Sequence, residues 1–94
     1  MIVNDGIIMF FNLHPEVRGA INKLDGISNA LFGNFDSRFE LILDWDTGNN
    51  LLAWYISANI DDVNVLSEKE SAFFAFADKE NLAEQLVDVV IYIS

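Results

Sequence analysis

The stretch RFELILDWDTGNNLLAWYISANI, residues 38–60, decides how this chain is read. Its first eight residues alternate. Phe39, Leu41, Leu43 and Trp45 fall on one side of an extended backbone, and Glu40, Ile42 and Asp44 fall on the other. Residues 51–60 continue the pattern, with Leu52, Trp54, Ile56, Ala58 and Ile60 on the apolar side. A period of two belongs to a strand, not to a helix face. Between the runs stands Asp46-Thr47-Gly48-Asn49-Asn50, whose residues bond the local backbone or accept positive φ at little cost. Two half-buried strands joined by such a segment make a hairpin.

The connecting segment carries fragments of two known chemistries. Asp46-Thr47-Gly48 is the tripeptide of aspartic proteases, and retroviral-type enzymes are dimers of chains near this length. In that family the triplet follows two apolar residues, and a later apolar-apolar-Gly element braces its loop. Here Asp44-Trp45 precede it, Asn49-Asn50 follow, and no glycine comes after Gly48. Two carboxylates sharing one proton need that rigid, partly buried loop. Asp44-x-Asp46-x-Gly48 also begins like a calcium loop. Counted from Asp44, however, the positions that need an oxygen ligand, a glycine and a closing Glu hold Gly48, Asn49 and Tyr55. A hairpin turn accounts for all five residues without chemistry.

Outward from the hairpin, the elements read as follows. The apolar run Ile7-Ile8-Met9-Phe10-Phe11 is too short to cross a bilayer and has no basic residue before it, so it reads as a buried strand rather than a secretion signal. His14-Pro15-Glu16 opens a helix with an apolar stripe at Val17, Ile21 and Leu24 and a glycine cap at Gly26. Residues 27–36, rich in Gly, Asn and Ser, read as loop with a helical turn left open, and DDVNVLSEKES (61–71) as a polar loop. Ala72-Phe73-Phe74-Ala75-Phe76 reads as a third strong strand. Asp78 then caps a final helix with Leu82, Leu86, Val89 and Ile93 as its stripe; the β-branched run at 89–93 leaves a strand open there. The expected order is β-α-β-β-β-α: an α+β fold with an antiparallel sheet of three to four strands packed with two helices.

Residues 1–94 are expected to form a single domain, and 52% apolar content supplies a core without staples. No cysteine is present, so disulfides and thiolate metal sites are excluded, in keeping with a cytoplasmic setting. One histidine, at a helix start, offers neither a metal pair nor a triad. No nucleophile elbow or phosphate-cradling glycine loop occurs. The expectation is a protein without catalytic residues, metal or cofactor.

Charge is the strongest compositional signal. Fifteen acids face five bases, a net charge of −10. Such a chain repels nucleic acid and anionic membranes, whose binding runs on Lys and Arg contacts. Glu80, Glu84 and Asp88 are spaced to form a ridge on the expected final helix. Asp61, Asp62, Glu68 and Glu70 crowd one loop, and Glu40, Asp44 and Asp46 line the outer side of the hairpin. The bland account of these acids is solubility; the sharper one is a surface that imitates a polyanion.

In size, acidity and lack of cysteine, the whole chain resembles the bacterial immunity proteins of contact-dependent inhibition and related polymorphic toxin systems. Its end, Val90-Ile91-Tyr92-Ile93-Ser94, is similar to the apolar end of barstar, a ribonuclease inhibitor. The segments before it do not follow barstar's order, so none of barstar's contacts carries over. The resemblance implies an inhibitor that occludes a basic partner, the nuclease domain of a cognate toxin, with carboxylates in the place of substrate phosphates. The partner-binding residues expected on that basis are Glu40, Asp44, Asp46, Asp61 and Asp62, with Tyr55 as an aromatic anchor. A phage-encoded DNA mimic acting on CRISPR or restriction enzymes would use the same physics. A small enzyme or metal-binding domain is the alternative from another class.

Overall fold

The computed structural model describes residues 5–43 and 45–94. The hairpin forms as its alternation requires. Strand β1 (Phe35–Leu43) pairs antiparallel with β2 (Asn50–Ala58), setting Phe39 opposite Trp54 and Leu43 opposite Asn50. Gly48 takes φ 73° in the turn, and Thr47 Oγ1 accepts the Asn49 N–H at 3.3 Å. Pairing stops at Leu43, so Trp45, expected on the apolar side, has no sheet to pack on and is 88% exposed.

The third strand comes from the C-terminus. β3 (Val89–Ile93) lies parallel to β2, with Ile91 opposite Trp54 and Tyr92 opposite Tyr55, so β2 is central. Leu52 N donates to Asp88 O and Ser94 N to Ile56 O, both at 2.9 Å. The helix expected over residues 89–93 is therefore a strand, and the sheet is mixed rather than antiparallel. β-Branched Val89, Val90, Ile91 and Ile93 lose little by extension.

Three helices complete the α+β fold, in the order α-α-β-β-α-β. Helix α1 (Asp5–Leu13) replaces the strand expected at residues 7–11. A five-residue apolar run carries no period of its own; here Ile7 and Phe10, at i and i+3, are the buried pair. Helix α2 (Pro15–Phe32) runs past Gly26 through the expected loop, burying Val17, Ala20, Ile21, Leu24, Ser28 and Phe32. It ends at Gly33, where φ is 67° and the N–H returns to Asn29 O at 3.2 Å. Ser28, fully buried, donates to Leu24 O at 2.7 Å.

Helix α3 (Val63–Lys79) takes in both the expected polar loop and the expected strand at residues 72–76. Asp62 caps it, accepting from Asn64 N at 2.9 Å and Val65 N at 3.4 Å. Phe73 and Ala77 form its buried stripe at i, i+4. Asp78 thus sits in the last turn of α3 and caps nothing new. A short 3₁₀ turn (Ala83–Leu86) carries buried Leu86 beside buried Leu82 and leads into β3.

All three helices pack on one side of the sheet, around Trp54. Its ring stacks on Phe39 (5.7 Å, 25°) and meets Phe73 edge-on (6.2 Å, 63°), while Phe73 reaches Phe32 of α2 (6.3 Å) and Phe39 meets Phe11 of α1 (5.5 Å). The Trp54 indole N–H is buried with no acceptor among the described residues. That orphan costs about 1–3 kcal/mol. Burying the ring's ~200 Å² contributes roughly 5 kcal/mol, so the side chain still stabilises the core on balance. Lys69 of α3 reaches across to the end of α2 and donates to Leu31 O at 2.6 Å. It supplies a positive charge at a helix C-terminus whose last turn has no basic residue of its own.

Two glycines should therefore respond in opposite directions. Neither Gly26 nor Gly33 has any atom within 4 Å of an added Cβ, and only Gly33 has positive φ. Gly26→Ala should raise stability by about 0.5–1 kcal/mol, and Gly33→Ala should lower it by about 1–2 kcal/mol, measured by urea denaturation. A stabilised Gly33→Ala would mean that α2 does not end there. Lys69→Met, which keeps the stem and removes the charge, should cost about 1–2 kcal/mol in the same assay.

Candidate partner-binding surface

With α1, α2 and α3 on the Trp54 side, the opposite face of the sheet carries no helix among the described residues. Strand alternation assigns its residues. β1 contributes Asp36, Arg38, Glu40 and Ile42, β2 contributes Leu51, Ala53, Tyr55 and Ser57, and β3 contributes Val90 and Tyr92.

The strand register aligns three of these on one rung: Arg38, Tyr55 and Tyr92. The Arg38 guanidinium lies 4.1 Å over the Tyr55 ring, and Tyr55 stacks on Tyr92 at 5.0 Å and 12°. Arg38 Nη1 stands 3.6 Å from Glu40 Oε2. Both partners are more than half exposed, so the ion pair adds little stability; it does steer the guanidinium over the ring. The tyrosine pair and the cation–π contact are each worth about 0.5–1.5 kcal/mol. The row is thus a stacked aromatic platform, with Tyr92 still 48% exposed. On the next rung Ala53, fully buried, separates Glu40 from Val90.

Beside the platform, a cleft of about 440 Å³ opens between the edge strand β1 and α2. Arg38, Tyr55 and Ser57 line it from the sheet, and Asp25 and Asn29 from the helix. Among the described residues no group of three or more His, Asp or Glu is placed to hold a metal ion.

The structure separates the carboxylates that the sequence grouped. Glu40 and Tyr55 share the open face at mid-length. Asp46 sits in the turn beyond Asn50, and Asp61 and Asp62 follow the other end of β2, so the two groups stand a strand length apart, about 26 Å. Asp44 lies outside the described residues. Asp62 is held by α3 as its cap, whereas Asp61 is exposed with no such duty. Glu80, Glu84 and Asp88 form no ridge. Glu80 ends α3, Glu84 is in the 3₁₀ turn, and Asp88 gives its carbonyl to β2. His14, at the α1–α2 junction, packs on Phe10 (4.6 Å) with Nδ1 3.6 Å from Glu16.

Arg38 and Tyr92 are not among the residues that the sequence singles out. A helix over residues 89–93 places Tyr92 away from Tyr55; only the strand alternative pairs them. The signal was the alternation of Val90 and Tyr92 against Val89, Ile91 and Ile93, a period-two pattern only five residues long.

Capping and partner contact are separable at the Asp61–Asp62 pair. Asp62→Ala should cost about 1 kcal/mol through the lost cap. Asp61→Ala should leave the melting temperature within experimental error; equal losses for both would show that the cap contributes nothing.

Comparison with protein-family models, with curated proteins and with solved structures returns no match for this chain.

Proposed function

We propose that this protein is a binding module that occludes a basic partner protein, in the manner of an immunity protein blocking its cognate nuclease toxin. The observation that carries this reading is the Arg38–Tyr55–Tyr92 row on an uncovered sheet face in a chain of net charge −10. Tyr and Arg are among the side chains that most often dominate interface energy: Tyr brings a large contact area with only two rotors to freeze, and Arg a planar fork of donors that also stacks on rings. Here their rotors are already restrained by one another, so docking would lose little further entropy.

The size of the face sets what else must take part. Two strands of nine residues and one of five, at about 4.8 Å spacing and about 3.3 Å per residue, give roughly 360 Å² in projection. A stable complex covers about 800 Å² on each partner. The partner therefore extends past both ends of the hairpin, where Asp46 and Asp61 stand. Glu40 and Asp36 border the platform, and the carboxylates meet the Lys and Arg side chains that would otherwise hold substrate phosphates. The surplus negative potential speeds encounter, and the aromatic centre holds the complex once formed. No catalytic step is assigned to the chain.

The test is retention of a basic protein from a lysate of the source cell on the immobilised chain, followed by kinetics with that purified partner. The association rate should fall steeply as ionic strength rises. Tyr92→Ala should raise the dissociation rate at least tenfold, about 1.4 kcal/mol. Charge reversal at Glu40, Asp46 and Asp61 together should slow association with little effect on melting temperature. Full biological effect from the triple reversal, or turnover of a substrate by the purified chain alone, overturns the proposal.

A further inference from the structure

On the helix-covered side, away from the platform, α1 and α2 diverge over the edge strand and leave a cleft of about 380 Å³. Helical spacing builds both walls. Ile8, Phe11 and Asn12 (i, i+3, i+4) face in from α1, and Arg18, Ile21 and Asn22 (i, i+3, i+4) face in from α2. Phe39 of β1 closes the floor. Four apolar side chains thus meet three polar ones, and none of the lining residues is a carboxylate.

Arg18 is set apart by its position. It is exposed and, like Lys23, Lys69 and Lys79, has no ion-pair partner among the described residues, but it alone of these lines an apolar cleft that holds no carboxylate. The sequence explains why. Its helical neighbours at i−4, i−3, i+3 and i+4 are His14, Pro15, Ile21 and Asn22, none of them acidic. The nearby Glu16 stands by His14 instead. Arg18, with the amides of Asn12 and Asn22, is therefore a donor set with no anion, placed at an apolar cleft. An occupant needs an apolar body and a single negative head. A positive group on it would find no counter-charge in the lining.

We propose that this cleft binds a medium-chain fatty acid, its alkyl chain among Ile8, Phe11, Ile21 and Phe39 and its carboxylate on Arg18. The volume is near the lower end of the about 300–1,000 Å³ range of ligand sites, which favours a medium over a long chain. The carboxylate–guanidinium contact is a charge-assisted one, of the stronger class of hydrogen bond. This site is independent of the partner-binding face, and either proposal can fail without the other.

The chain carries its own reporter. Trp54 stacks on Phe39 at 5.7 Å, and the other tryptophan, Trp45, is 88% exposed. In a Trp45→Phe background, decanoate below its micelle concentration should shift Trp54 emission saturably, with calorimetry giving one site per chain. Decanol, equal in chain but uncharged, should bind at least tenfold more weakly. Arg18→Gln should lose at least tenfold in decanoate affinity with an unchanged melting temperature in the absence of ligand. Asn22→Phe, which fills the cleft from an exposed helix position without adding a second indole, should abolish the shift. The proposal is overturned if decanoate gives no saturable binding, if decanol binds as tightly as decanoate, or if Arg18→Gln keeps the affinity.

Discussion

β3 runs parallel to β2, and a parallel neighbour cannot be reached by a tight turn. The chain leaves β2 at one end of the sheet and must return to the other before β3 can begin beside Leu52. Helix α3 makes that return. Its 17 residues span about 25 Å at 1.5 Å per residue, close to the ~26 Å length of β2. The crossing sets Phe73 against Trp54, brings Lys69 within reach of the last carbonyls of α2, and delivers Tyr92 to the side of Tyr55. Core, helix packing and candidate surface therefore depend on one pairing.

Because α1, α2 and α3 all lie on the Trp54 side, the sheet is a two-layer structure with one side in water. Antiparallel pairs tolerate this readily, since their alternation places polar residues outward. Strand β1 follows that pattern, with Arg38 and Glu40 outward and Phe39 and Leu41 inward. The outward residues of β2 and β3 do not: Tyr55, Val90 and Tyr92, packed over buried Ala53, make a partly apolar surface bordered by charge. An aromatic row on an uncovered face is what distinguishes this sheet from one that is only solvated.

The acids divide by local role once the elements are known. Asp5 and Glu16 lie in the first turns of α1 and α2, where the helix dipole favours negative charge, and Asp62 caps α3. These contribute to folding. Glu40, Asp46 and Asp61 have no helix terminus to serve, and they fall at the middle and the two ends of the hairpin. Net charge alone could not separate the two groups, since both count equally in the −10. Nor could it show that Arg18, one of only five bases, stands beside an apolar cleft whose lining holds no carboxylate.

Residues 38–60 determined by themselves what local physics can determine. Their alternation specified two strands, the inward residues Phe39, Leu41, Leu52, Trp54 and Ile56, and a turn at Gly48, because a period of two is incompatible with a helix face; it did not show that pairing would stop short of Trp45. The stripe of Val17, Ile21 and Leu24 specified α2 in the same way, though not its end, since Gly26 and Gly33 differ only in a φ that nothing local reveals. The runs at 7–11 and 72–76 are apolar without a period, and the run at 89–93 is too short to prove its own. Such segments take whatever form buries them best against the rest of the chain. For α1 and α3 that was a helix over Phe39 and Trp54, and for β3 a strand along β2, whose free backbone groups needed a partner on that side. Only those tertiary choices brought Tyr92 to Tyr55 and so turned scattered residues into a surface.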